Sequence, residues 1–351
     1  MGLLSKLFGK NKDSHAPNQV TIETPKIEIQ ITSKLNTTIC EPGVPSYQGD
    51  YAKTIFLWAN AKATPVKTAD NYVRYLLYEC GIRDANKYHR DMIKEGYLVE
   101  APVASVLNSK TVSDLKQILS EMGQTVSGKK SILVDRIIYN ADESFLEKYV
   151  PDKYYELSDK GKQFVEEHND YILIHKHGNW CVDWHEYEVN HKPGCSYYDT
   201  MWSIFNKRIV NNPHNFGRNE YLCMHQLCEE VGKRELALEM LLRVLYIDLS
   251  GVCGLETFKL YKSGCYSKQD LTDYFDSFIM LAPGIVNGII KYHDIFNDSY
   301  VDHLYEQRLP VQICNKALFL AIVHSVLDGS YSEEETKQQL RNVYCKAIAR
   351  M

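Results

Sequence analysis

Residues 111 to 140 read Thr111-Val-Ser-Asp-Leu-Lys-Gln-Ile-Leu-Ser-Glu-Met-Gly123, then Gln124-Thr-Val-Ser-Gly-Lys-Lys130, then Ser131-Ile-Leu-Val-Asp-Arg-Ile-Ile-Tyr-Asn140. In the first part Val112, Leu115, Ile118, Leu119 and Met122 recur at the three- and four-residue spacing that places side chains on one helical face. Thr111 or Ser113 offers an N-cap hydroxyl, and Gly123 offers a left-handed stop. The middle part is a short polar loop with one apolar residue, Val126, available as a plug. A second helix is expected from Lys129 to about Asn140, with Leu133, Ile137 and Ile138 turned inward. Two helices joined by an extended loop therefore form a unit over residues 108–140.

Outward from this unit the chain divides by composition. Residues 1–45, with Pro17, Pro25 and Pro42, read as a disordered tail or linker containing one strand-like run, Ile27 to Thr32. Leu3, Leu4, Leu7 and Phe8 span barely two helical turns, too short for a signal peptide, and Lys6 breaks the myristoylation pattern after Gly2. Residues 46–107 form an N-terminal helical region: Ile55, Leu57 and Trp58, then Tyr72 to Leu77 after a start at Asp70, then Tyr88 to Leu98 and Val103 to Leu107. Residues 151–351 read as one mainly α domain of unassigned function. It opens with a strand at Tyr154, a helix capped by Ser158 and a second strand at Tyr171 to His175. Helices follow at 198–210, 219–231, 235–245, 268–281, 284–296 and 311–327, and a capping box at Ser332 to Glu335 opens the last one. The fold class is mainly α, with a helix-extended loop-helix module embedded ahead of a larger helical domain that carries a few short strands.

The 351 residues are 44% hydrophobic and 24% charged, which excludes collagen-like, coiled-coil and wholly disordered chains. A net charge of −5 excludes a globally basic nucleic-acid binder. Residues 108–140 differ from the whole: Lys110, Lys116, Lys129, Lys130 and Arg136 face Asp114, Glu121 and Asp135, so the acidity lies elsewhere. Ten scattered cysteines without a Cys-x-x-Cys read as reduced thiols, and the longest apolar stretch, Ala317 to Val323, is too short to span a bilayer. A soluble, cytoplasmic protein without membrane contact is expected.

Residues 112–137 resemble the SAP family of nucleic-acid-binding modules. The match runs without a gap through Val112, Leu115, Lys116, Leu119 and Gly123, then Ser127, Gly128, Lys129 and Lys130, then Leu133, Val134, Asp135, Arg136 and Ile137. Gln124 departs from the apolar residue usual in the family after the glycine, and the resemblance covers about thirty of 351 residues. The residues support the same reading on physical grounds. Ser127-Gly128 ahead of a helix start leaves backbone N–H groups free at the positive end of the helix dipole, which makes an anion site. Lys129 and Lys130 in that first turn oppose the dipole unless a negative ligand binds. The expected function is non-enzymatic: Lys116, Ser127, Gly128, Lys129, Lys130 and Arg136 contact a DNA or RNA backbone with little sequence preference and without a cofactor.

Two other readings compete. The helical C-terminal domain could serve as a scaffold for a protein partner, with the hairpin purely structural. His175, His177, Cys181 and His185, followed by His191 and Cys195, supply zinc-ligand residue types for a metal-dependent nuclease or hydrolase, but at none of the common zinc spacings. Cys223, His225 and Cys228 point apart on a helix and read as core residues. At Phe216-Gly217-Arg218-Asn219, Arg218 could face a ligand or Asn219 could simply cap the following helix. No Walker loop or nucleophile elbow occurs in the sequence, and spacing alone proposes no nucleophile-base pair.

Overall fold

The protein is described by a computed structural model covering residues 43–350 except 151 and 212–215. The expected Ile27–Thr32 strand and the apolar N-terminal turn lie outside the described residues. Helix α1 (Gly49–Ala59) buries Tyr51, Ala52, Ile55, Phe56 and Leu57. A two-residue strand β1 (Thr64–Pro65) and a 3-10 turn (Ala69–Asn71) lead into α2 (Tyr75–Tyr78). The helix expected from Asp70 is thus one turn long, with Leu76 its only buried residue. Helix α3 (Ala85–Lys94) is followed by β2 (Leu98–Glu100).

The chain then makes an excursion through α4 (Val103–Ser109), α5 (Val112–Glu121), α6 (Lys130–Asn140) and α7 (Glu143–Tyr149). It returns as β3 (Tyr154–Leu157), which lies between β1 and β2 and is antiparallel to both. The exit and return points meet where the Ala101 N–H donates to Tyr154 O at 2.8 Å. The module is therefore an insertion whose ends are joined at a sheet.

Beyond β3 come α8 (Asp159–Glu167), α9 (Asn169–Lys176), α10 (Trp184–Asn190), α11 (Tyr197–Asn211), α12 (Arg218–Glu230) and α13 (Arg234–Ser250). Ser158 caps α8 as expected and also donates to Gly96 O at 2.7 Å. A Cβ at Gly161 would lie 2.2 Å from Tyr97 O, so only glycine lets α8 approach β2 this closely. The Tyr171–His175 strand expectation is corrected: this run is α9, packed on α1. Its unbroken apolar pattern suits a buried helix as well as a strand, and Ile172 and Ile174 are both buried. The last third holds α14 (Leu255–Lys262), α15 (Lys268–Asp273), α16 (Phe275–Phe278), α17 (Pro283–Ile289), α18 (Ser299–Glu306), α19 (Lys316–Leu327) and α20 (Glu333–Arg350). The single helix expected over 268–281 breaks at Tyr274, and the one expected from Val311 begins only after Asn315, whose side chain caps it.

Three hydrophobic cores organise these elements, and they do not follow sequence order. One joins Ile55, Leu76, Met92 and Leu98 to Leu157, Ile172, Met201 and Phe205, so residues on both sides of the insertion share it. A second fills the last third around α13, whose residues are buried on every side, as befits a core helix. The third is the module's own: Leu107, Leu115, Ile118, Leu119, Leu133, Val134 and Ile137, flanked by Phe145, Leu146 and Tyr149. A two-helix unit this small buries too little surface to stand alone, and α4 and α7 supply the missing walls.

Candidate nucleic-acid interface

Local chemistry sets the first helix of the module. Thr111 caps α5 and forms a reciprocal capping box with Asp114. The Thr111 hydroxyl, which donates to Asp114 at 2.8 Å, lowers that carboxyl below its usual range. Leu115, Ile118 and Leu119 face inward as expected, Met122 is half-buried, and Val112 remains exposed. Gly123 adopts a left-handed φ of +65° and ends the helix. In α6 the inner face is Leu133, Val134 and Ile137; Ile138, expected inside, is 42% exposed. Val134, one turn before Ile138 on the same face, takes the inner place on α6, which packs against α4. Val126 is also exposed and plugs nothing.

Between the helices the loop is held open by one side chain. Arg136 on α6 donates to Thr125 O and, at 3.1 Å, to Ser127 O. Gly128 takes φ +136°, and a Cβ there would lie 3.3 Å from Ile132 Cγ2. The backbone at Gly128 thereby reaches Lys129, the N-cap of α6, in an extended conformation.

No side chain caps α6, and its first turn has no acidic residue. The first N–H groups of a helix lack intrahelical partners, so this end presents bare donors and positive potential. By contrast α5, α7, α8 and α10 are capped by Thr111, Asp142, Ser158 and Asp183. Ser127, Gly128 and Lys129 are exposed and Lys130 is half-buried. Among the described residues Lys116, Lys129 and Lys130 make no ion pair, whereas the module's acid Glu121 is held by Lys148 of α7 at 2.6 Å and by the Tyr149 hydroxyl. Those two donors pull the Glu121 carboxyl down to about 2. Of the six expected contact residues, the structure gathers Ser127, Gly128, Lys129 and Lys130 at one helix end, leaves Lys116 exposed on α5, and turns Arg136 onto the loop carbonyls. The Glu121 latch was not foreseen, because its partner lies 27 residues away with no periodic link to it.

The histidines and cysteines of residues 175–195 are dispersed. His175 Nδ1 donates to Glu79 at 2.8 Å. His177 accepts from the Tyr197 hydroxyl at 2.9 Å and donates through Nε2 to Glu230 at 2.8 Å. His185 stacks on Trp184, His191 meets Thr200 Oγ1 at 3.1 Å, and Cys181 and Cys195 are exposed. Among the described residues no three His, Cys, Asp or Glu side chains converge as metal ligands. His225 is buried against Ala237 O beside the buried Cys228 and half-buried Cys223. Gly217 rather than Asn219 takes the N-cap of α12, and Arg218 pairs with the fully buried Asp248. No helix among the described residues is long and apolar enough to cross a membrane.

A family model for the SAP domain matches residues 106–140, so the chain carries a SAP domain over about a tenth of its length. The module is a known DNA-binding unit, which supports association with nucleic acid in general. No curated protein and no solved structure matches the chain.

Proposed function

We propose, from the SAP domain at residues 106–140, that this protein grips a nucleic-acid backbone through the N-terminal end of α6 and performs no catalysis there. The carrying observation is the uncapped α6 terminus with Lys129 and Lys130 beside it, unpaired among the described residues, in a module whose acid Glu121 is held by Lys148 of α7. Phosphate oxygens fit such a site because the N–H donors and the ammonium groups act on the same anion. Lys116 extends the grip on α5, and Arg136 acts as a positioning residue that keeps the loop open.

Neither groove edges nor a deep pocket enter this picture, so contacts go to phosphates and sequence preference is small. The body outside residues 108–140 carries a net −7, which repels nucleic acid and suits a tethering or accessory role over tight capture. The scaffold reading has one supporting observation of its own: Ile132, Ile138 and the 89% exposed Tyr139 leave apolar surface on α6.

The test is an anisotropy titration of the full chain with duplex DNA and with RNA across a salt series. Affinity should fall linearly on a double-logarithmic plot, with a slope of roughly −0.9 per phosphate engaged on duplex DNA. A flat salt response would sink the reading.

A further inference from the structure

Helix α6 has no side-chain cap and no acidic residue in its first turn. Its first intrahelical bond runs from the Leu133 N–H to Lys129 O at 3.1 Å, so the N–H groups of Lys130, Ser131 and Ile132 have no partner within the helix. The second residue of that turn is Ser131, which is exposed and whose hydroxyl makes no hydrogen bond among the described residues. At the equivalent place in α7, Ser144 is engaged, donating to the Asp142 cap at 2.8 Å. Ser131 directly follows Lys129 and Lys130, neither of which makes an ion pair among the described residues. Independently of this geometry, the SAP match over residues 106–140 marks the module as one that binds a phosphate-bearing polymer.

Resting on the function proposed above, we propose that Ser131 is a regulatory phosphorylation site whose phosphate fills the α6 terminus from within the chain and displaces nucleic acid. In the transfer step Ser131 Oγ forms a bond to the γ-phosphorus of ATP, the bond from that phosphorus to the β–γ bridging oxygen breaks, ADP leaves, and the hydroxyl proton passes to the base of the kinase. A serine kinase with an acidic substrate groove fits, because two ammonium groups precede the acceptor. The first turn of α6 has no cap to hold it, so it opens at low cost to present Ser131. The product phosphate carries about −1.5 to −2 at neutral pH, which cancels the surplus of two positive charges over residues 108–140. It shares a turn with the free N–H donors and both ammonium groups, and its tether gives it a high effective concentration against an incoming phosphate. Asp135, one turn further along α6, opposes it with a single like-charge contact, which the helix end and the two lysines outweigh.

The experiment uses the full chain with phosphoserine encoded at position 131. Phosphorus NMR titration should find its second ionisation about tenfold more acidic than that of an exposed phosphoserine, and Lys129→Ala with Lys130→Ala should remove most of that difference. Duplex DNA affinity, read by anisotropy, should fall about tenfold or more, with the salt slope reduced by roughly two. A panel of serine kinases selective for basic residues ahead of the acceptor should phosphorylate the unmodified chain at Ser131, as mapped by peptide mass spectrometry, and Ser131→Ala treated in the same way should keep its DNA affinity. A phosphate that titrates like an exposed one overturns the proposal even where DNA affinity falls, since plain repulsion produces that fall. Unchanged DNA affinity in the phosphoserine chain, or a Ser131 left unmodified by every kinase, overturns it as well. Absence of salt-dependent DNA binding by the unmodified chain defeats the function proposed above and with it the displacement; the phosphorus titration needs no nucleic acid and so separates that failure from failure of the contact within the chain.

Discussion

The Ser127–Lys130 loop and the 175–195 segment are opposites in how they treat polar groups. The second is far richer in ligating residue types, yet His175, His177 and His191 are bonded to Glu79, Tyr197, Glu230 and Thr200 within the fold. The first has only a serine, a glycine and two lysines, but among the described residues its helix end is uncapped and its ammonium groups are unpaired. A binding site consists of groups the fold leaves unsatisfied in a shared direction, and an abundance of chemically capable side chains does not by itself make one.

The largest effect should come from removing the ground beneath the loop. Leu133→Ala deletes a fully buried side chain from a core of seven and should cost about 2–5 kcal/mol, enough to unfold so small a module. Hydrogen exchange should then show residues 106–140 unprotected while α9 and α11 keep their protection, and DNA binding should vanish. Retained protection across α5 and α6 would break the contrast.

Acid should separate the two regions in the opposite order. His89, buried with its Nδ1 against the Tyr72 hydroxyl at 2.9 Å, is pushed down to about 4 by burial and by the nearby Lys67 charge. The unfolded chain takes up this proton at higher pH than the folded one, so stability falls as pH drops from 6.5 toward 4, by about 3 kcal/mol in total. The Glu121 latch gives way in the same direction but at lower pH: its stabilisation is present above the ordinary carboxylate value of 4.5 and is lost only as pH approaches about 2. Acid titration followed by hydrogen exchange should open the His89 core first, and His89→Gln should flatten that window.

A smaller effect tests the loop itself. Lys129→Ala together with Lys130→Ala should leave thermal stability unchanged, weaken DNA binding by about tenfold, and reduce the salt slope by roughly two. An unchanged slope would show that the helix end is not where phosphates sit. The smallest effect tests the closed region: His177→Ala should cost about 1 kcal/mol in denaturant unfolding by freeing Tyr197 and Glu230, with DNA affinity unaltered.

Much of the module was legible in the sequence because its determinants are local. The Thr111 cap, the Leu115–Ile118–Leu119 face and the Gly123 stop all act within four residues. The errors there concern how far along a face burial extends: Val134, one turn before Ile138, took the inward place assigned to it on the helix that packs against α4, and Val126 stayed in solvent. Arg136 was chosen for its charge, while its actual partners, Thr125 O and Ser127 O, are backbone atoms about ten residues away that spacing does not reveal.

By itself the sequence determined the helix-loop-helix unit, its local positive charge and the helical character of the chain, since these follow from capping, periodicity and composition at short range. Only the tertiary structure decided that β3 returns between β1 and β2, so that the module is an insertion and residues 51–98 share a core with residues 157–205. Only the tertiary structure, likewise, tied His177 to Tyr197 and Glu230 and His175 to Glu79. Such pairings join segments well separated in sequence, where the choice of partner is set by packing and by the burial cost of every polar group at once, and no local spacing records that choice.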